Sequence, residues 1–280
     1  MNDFAAFILT HGRANNVKTV QTLQKCGYTG KWYIVIDNED EQESEYRRLY
    51  GDKVLQFDKL AISKTFDTMD LSEDRRSIVY ARNACFDLAK TVGVRYFVEL
   101  DDDYKSFEFR WIDGEKLKVK QVTDMDKICE CMVDFLKDTK ALTVAMAQGG
   151  DFIGGKDGGS YKKGLLRKAM NSFFCDAENP FQFLGRINED VTTYVRLGSL
   201  GERIFTVTDV SLTQNATQGT EGGMSELYID NGTYLKSFYT VIANPSCVSV
   251  AMMGDKHMRL HHKVEWNNAV PKILNEKWRK

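Results

Sequence analysis

SIVYARNACFDLAKTVGVRYFVELDDDY, residues Ser77 to Tyr104, passes from a helical pattern into a strand and ends on three acids. Ile78, Ala81, Cys85, Leu88 and Ala89 recur at the spacing of one helix face, and Gly93 is a stop, because glycine readily takes the left-handed conformation that ends helices. RYFVEL (95–100) is apolar on consecutive rather than alternate positions, which predicts a strand covered on both faces. Asp101, Asp102 and Asp103 stand where that strand leaves the core.

The same alternation fills the first third of the chain. FAAFILT (4–10), WYIVID (32–37) and KVLQFD (53–58) read as strands, and VKTVQTLQKCG (17–27) and EQESEYRRLYG (41–51) as helices. The pattern predicts an α/β fold with a mixed, mainly parallel sheet flanked by helices, whose ligands sit beyond the carboxyl ends of the strands. Three polar endings fall on that edge: Thr10-His11-Gly12-Arg13, Asp37-Asn38 and the aspartate triplet.

Further on, 106–122 reads as a hairpin about Asp113-Gly114, 124–138 as a helix capped by Asp124, 141–147 as a strand and 149–164 as a glycine-rich loop. NSFFCDA and PFQFLG lead to a helix over 187–201 opened by Asn188 or Glu189. A strand (203–214), a loop (217–228), a helix (232–243), a strand (246–253) and a polar-aromatic tail (257–274) follow.

With 280 residues, 42% hydrophobic content and only 3 prolines, the chain is expected to form one domain with a C-terminal extension. The six cysteines lack CxxC spacing, which favours reduced thiols and a cytoplasmic setting. The N-terminal apolar run is short and follows an acid, and nowhere do eighteen apolar residues run together, so neither a signal peptide nor a membrane span is expected. A net charge of −2 and a pI of about 6.1 exclude a broadly basic nucleic-acid binder, leaving only local patches such as Lys162, Lys163, Arg167 and Lys168, or Lys256, Arg259 and Lys263. No feature calls for an obligate protein partner.

Three adjacent carboxylates repel one another, and a divalent cation relieves that repulsion. Along extended backbone Asp101 and Asp103 point the same way, so they can address one Mn²⁺ or Mg²⁺ shared with a phosphate ligand; a solvated acidic loop is the plainer alternative. Arg13, Arg82 and Asn83 lie near the same edge, where the arginines suit a diphosphate.

The order of strand, HGRANN loop, helix, strand and then LDDDY resembles the nucleotide-sugar half of a GT-A glycosyltransferase, whose DxD motif holds metal and donor diphosphate. More narrowly, HGRANNVKTVQTL, RNACFDLA with LDDDY, NEDVT and HMRLHHKVEWNNAVPKIL together resemble the glycosyltransferases associated with TET/JBP-type DNA base dioxygenases. That family occurs largely in phages and is thought to glycosylate hydroxymethylated pyrimidines in DNA. The resemblance implies a donor-binding part (1–105), an acceptor and catalytic part (106–255) and a tail (256–280) that completes the site. It further implies a UDP-hexose donor, with Thr10, His11, Gly12, Arg13, Asp37, Arg82, Asn83, Asp101, Asp102 and Asp103 on the donor side and Asp37 able to accept from a uracil N–H. Metal would be held by Asp101 and Asp103 with a C-terminal histidine, His261 or else His257, two residues spaced to share a helix face. Within NEDV, a carboxylate fixed at a helix start suits proton abstraction from an acceptor hydroxyl in an inverting transfer, by Asp190 or its rival Glu189. Phe152, Tyr161, Phe173 and Phe174 are candidates to receive a flipped base, with a place in the core as the plainer alternative. A protein or glycan acceptor is the alternative to DNA.

Overall fold

A computed structural model of the chain describes residues 2–214, 224–253, 258–270 and 276–278. The elements are β1 (Phe4–Leu9), α1 (Lys18–Lys25), β2 (Lys31–Asp37), α2 (Glu43–Tyr50), β3 (Val54–Phe57), α3 (Lys59–Ser63), α4 (Val79–Thr91), β4 (Tyr96–Asp101) and β5 (Tyr104–Asp113). They continue with β6 (Lys116–Gln121), α5 (Met125–Thr139), β7 (Thr143–Gln148), β8 (Ser172–Asp176), α6 (Glu189–Ser199), β9 (Ile204–Gln214), α7 (Met224–Ala243), β10 (Val248–Met253) and β11 (Arg259–Val264). Nine strands form one sheet in the order β3-β2-β1-β4-β8-β7-β9-β5-β6, and β10 pairs with β11 apart from it.

The pairings β1–β2, β2–β3, β1–β4 and β7–β9 are parallel, whereas β4–β8, β7–β8, β5–β9 and β5–β6 are antiparallel. Every residue of β1 is buried, as a strand covered on both faces requires. Neighbouring residues serve opposite layers: Ile8, Val98 and Phe174 pack against α1 and α5, and Phe7, Phe97 and Phe173 against α4 and α6. Gly93 ends α4 as expected, at φ +65°, where the Val94 N–H reaches the Ala89 carbonyl at 3.0 Å and the Gly93 N–H that of Lys90 at 3.2 Å. Asp124 caps α5 by accepting from the Lys127 N–H at 3.0 Å.

Three segments depart from the expectations. NSFFCDA contains β8, which inserts antiparallel between β4 and β7; its five residues are too short to show a period. Residues 224–228 belong to α7, not to a loop. The histidine tail includes strand β11 rather than a helix, so the spacing argument that joined His257 to His261 does not hold, and His257 itself lies outside the described residues. All six cysteines are free thiols, and no described helix is long and apolar enough to cross a membrane.

Candidate active site

The parallel register sets Leu9 beside Asp101, so the end of β1 and the aspartate triplet share one edge. There the chain turns at Asp102 and Asp103 instead of continuing as an extended strand, and Asp101 and Asp102 meet different partners. Asp102 is buried, where it accepts from Thr10 Oγ1 at 2.6 Å and Arg13 Nη1 at 3.1 Å. The expectation that Asp102 faces the donor is thereby corrected: it anchors the first loop. Thr19, which no motif singles out, pins the turn; its hydroxyl donates to the Asp101 carbonyl at 2.6 Å and accepts from the Tyr104 N–H at 3.0 Å.

Arg82 is also redirected. Its guanidinium is 2% exposed and lies 4.6 Å above the Phe173 ring. Nε donates to Glu189 at 3.1 Å, Nη2 to Asp101 at 3.2 Å, and Nη1 reaches Glu99 at 3.5 Å. One cation thus serves three carboxylates, so Arg82 is a buried counter-ion rather than an open diphosphate ligand. Burial pushes Glu99 up to about 8 and Asp101 up to about 7, with Arg82 pulling both back and acidic neighbours adding to the rise. Asp103, near enough to act on Asp101, is raised by burial and by Asp102.

Asn83 points the other way from its expected role. Its Nδ2 donates to the Phe183 carbonyl at 3.0 Å and its Oδ1 accepts from the Phe183 N–H at 2.9 Å, which fixes the approach to α6. At the uridine end expected from sequence, Asp37 accepts from His11 Nδ1 at 2.8 Å, Lys59 Nζ at 3.2 Å and the Glu39 N–H at 3.0 Å. Burial would raise Asp37, but His11 and Lys59 outweigh it and hold the carboxyl below its usual range; the bond to Asp37 in turn raises His11. Gly12, at φ +66°, offers its N–H to Asp40 at 2.8 Å.

Asn188 opens α6 in the left-handed conformation with no side-chain cap; its Nδ2 instead donates to the Lys236 carbonyl at 2.7 Å and approaches His262 Nδ1 at 3.4 Å. Glu189 is buried against Arg82, and burial together with Asp190 raises its pKa. Asp190 is half-buried, accepts from the Val191 N–H at 2.7 Å and forms no ion pair among the described residues. A cleft of about 930 Å³ is lined by Asp101, Glu189, Asp190, His261 and His262, with Lys163, Arg167 and Trp266 also on its wall. Burial, His261 and Lys236 lower His262 to about 4, so it is a neutral imidazole near pH 7. Among the described residues no three His, Cys, Asp or Glu side chains converge as a preformed metal cluster.

A family model of TET-associated glycosyltransferases matches residues 4–223, which spans every element from β1 through β9. This chain belongs to the TET-associated glycosyltransferase family. The helix-flanked mixed sheet of this family member is the α/β architecture expected from its sequence. Solved structures it resembles include the mannosyltransferase PcManGT from Pyrobaculum calidifontis in complex with GDP-Man and Mn²⁺, at TM-score 0.47 and 15% identity over 78% of this chain and 58% of that one. S. aureus TarS aligns at TM-score 0.44 and 10% identity over 76% of this chain and 37% of that one. Glucosyl-3-phosphoglycerate synthase from Mycobacterium tuberculosis, in complex with Mn²⁺ and UDP-Glc, aligns at TM-score 0.45 and 11% identity over 94% and 87%. The TET-associated chain therefore spans less than two thirds of the first two. No curated protein matches it.

The candidate base-receiving aromatics fall mostly in the core. Phe173 and Phe174 are 2% and 0% exposed on β8, and Phe152 is buried beside Tyr161. Of the basic patches, Lys168 is paired with Asp151 and Lys263 with Glu265, and Lys256 and the Arg259 side chain lie outside the described residues.

Proposed function

We propose that this chain is a divalent-metal-dependent, inverting glycosyltransferase that moves a hexose from a UDP-sugar to the hydroxyl of a 5-hydroxymethylpyrimidine in DNA, in the cytoplasm where that DNA is held. The observation that carries the reading is the shared cleft: Asp190, with no ion pair among the described residues, lines the same cavity as Asp101. The family match and the nucleotide-sugar complexes among the similar structures support the donor class.

The residue types at the strand ends suit a metal, which on binding would draw Asp101, Asp103 and His261 together. Glu99, Asp101 and Glu189 share one guanidinium, and Asp102 and Asp103 crowd the same turn, so the strand ends carry more negative than positive charge. Asp101 and His261 line the cleft and Asp103 acts on Asp101 from the turn beside it, so the two carboxylates would supply hard oxygen ligands and His261 an imidazole, a combination that suits Mn²⁺ or Mg²⁺. When bound, the ion supplies charge neutralisation for the donor diphosphate.

The protein's own groups divide the remaining work. Thr10 and Arg13 are held by Asp102, and Asp37 holds His11, so the first loop is set before the nucleotide arrives. Asp190 takes the proton of the acceptor hydroxyl as that oxygen bonds to the anomeric carbon and the bond to the diphosphate breaks. Glu189, tied to Arg82, fixes the helix end beside it rather than competing for the proton.

The test mixes protein, Mn²⁺, a panel of nucleotide sugars and hydroxymethylpyrimidine DNA, then weighs the digested nucleosides. A hexose adduct supports the reading; no adduct with any donor would refute it. A protein or glycan acceptor is the second reading, favoured by the net charge of −2. Salt-dependent retention on duplex DNA separates the two, because phosphate contacts weaken steeply as salt rises.

A further inference from the structure

The same cleft carries an aromatic pair that the catalytic reading does not use. Trp266 stacks on Tyr194 with centroids 5.7 Å apart and planes 13° from parallel. Tyr194 sits on α6 four residues after Asp190, so one helical turn links this pair to the candidate base. Tyr194 is 6% exposed and fixed in the core, whereas Trp266 is partly open on the cleft wall. The Arg167 guanidinium stands 5.9 Å from the indole centroid, at the outer limit of cation–π contact. Arg167 and Lys163 are exposed on the same wall and form no ion pair among the described residues, unlike the neighbouring Lys168.

We propose that Trp266, backed by Tyr194, is the platform on which a nucleobase swung out of a duplex stacks, with Arg167 and Lys163 holding the phosphates beside it. This rests on the DNA-acceptor reading and assigns the residues that would make it work. A flat ring already fixed by a partner ring presents stacking area with little entropy left to lose. The incoming base takes the place of the loose Arg167 contact, and the arginine turns to a phosphate, which it can grip bidentately. A chain of net charge −2 gains little from wrapping duplex DNA at large, so a local contact to one extruded base and its two phosphates is the economical way to hold it.

The test compares binding of two duplex oligonucleotides, one carrying a hydroxymethylpyrimidine left unpaired opposite a gap, which spares the cost of unpairing, and one an abasic site at that position, to the full chain with UDP and Mn²⁺ present. Wild-type protein should prefer the base-bearing duplex by roughly 5- to 100-fold, the span of stacking on one aromatic side chain. Trp266→Ala should erase that preference and Trp266→Phe retain most of it, with UDP affinity unchanged in both as the check of folding. A wild-type protein indifferent to the missing base overturns the platform without any variant being needed. Preference that survives in Trp266→Ala places the base elsewhere and leaves the DNA reading standing. Failure of the wild-type protein to bind either duplex at low salt overturns both.

Discussion

Arg82 and Glu189 stand 107 residues apart in the chain and meet in the core, where Nε donates to Oε1 at 3.1 Å. The same guanidinium reaches Asp101 at 3.2 Å, so the acidic end of β4 and the start of α6 are tied through one buried cation. Arg82→Ala would leave Glu99, Asp101 and Glu189 buried without it, an expected loss of about 3–5 kcal/mol read as a lower urea midpoint. Adding Glu189→Gln should cost less than the sum of the two single changes, with an interaction of roughly 0.5–3 kcal/mol. Strict additivity would show that the pair is not coupled.

Asp190→Asn keeps the side chain's shape and removes its basicity. The expected result is a fall in kcat of roughly 10²- to 10⁴-fold with UDP binding unchanged, measured by steady-state turnover and calorimetry. Turnover at the wild-type rate would remove Asp190 from the role of base. Glu189→Gln, which weakens the Arg82 pair, should lower stability as well as rate.

The metal-free protein should lose stability as pH rises from about 6.5 to 8. Asp101 at about 7 and Glu99 at about 8 have folded pKa values above their ordinary ones, so they contribute stability when protonated and lose it as pH passes through those values. His11, also raised, loses its contribution in the same direction. His262, lowered to about 4, acts in the opposite direction between about 4 and 6.5, where the unfolded chain binds the proton that the folded chain refuses, and it offsets one of the two carboxyl contributions there. Thermal melts check the alkaline fall, and a midpoint that climbs from pH 6.5 to 8 would contradict it. Mn²⁺ should flatten the alkaline fall.

Asn83→Asp replaces the amide that donates to the Phe183 carbonyl with an acceptor facing an acceptor. The expected cost is about 1–3 kcal/mol, seen in denaturant melts. Amide exchange near Phe183 should quicken, since its N–H bonds to Asn83 Oδ1 at 2.9 Å. Unchanged exchange would mean that Asn83 does not hold this segment.

Much of the architecture was legible because long elements write their periodicity into consecutive residues. FAAFILT, WYIVID and RYFVEL each form a strand, and the stop at Gly93 and the cap at Asp124 stand as read. β8 was not, because five residues buried on both faces look like any apolar connection. The tail misled for a related reason: polar residues with three histidines carry no strand period until β10 supplies the partner.

Carboxylates at the strand ends, a helix start at NEDV and histidines clustered near the C-terminus are legible in the chain before it folds, because residue type and local pattern are local properties. What each of them faces depends on packing between distant segments. That packing buried Asp102 against Thr10 and Arg13, spent Arg82 on Glu99, Asp101 and Glu189, turned Asn83 to the backbone of Phe183, and brought Trp266 over Tyr194 beside Asp190. The ionisable group of a side chain is fixed when it is encoded, but its partners are set by packing between segments far apart in the chain, 107 residues for Arg82 and Glu189, and desolvation then decides whether the group is an open ligand or a buried counter-ion.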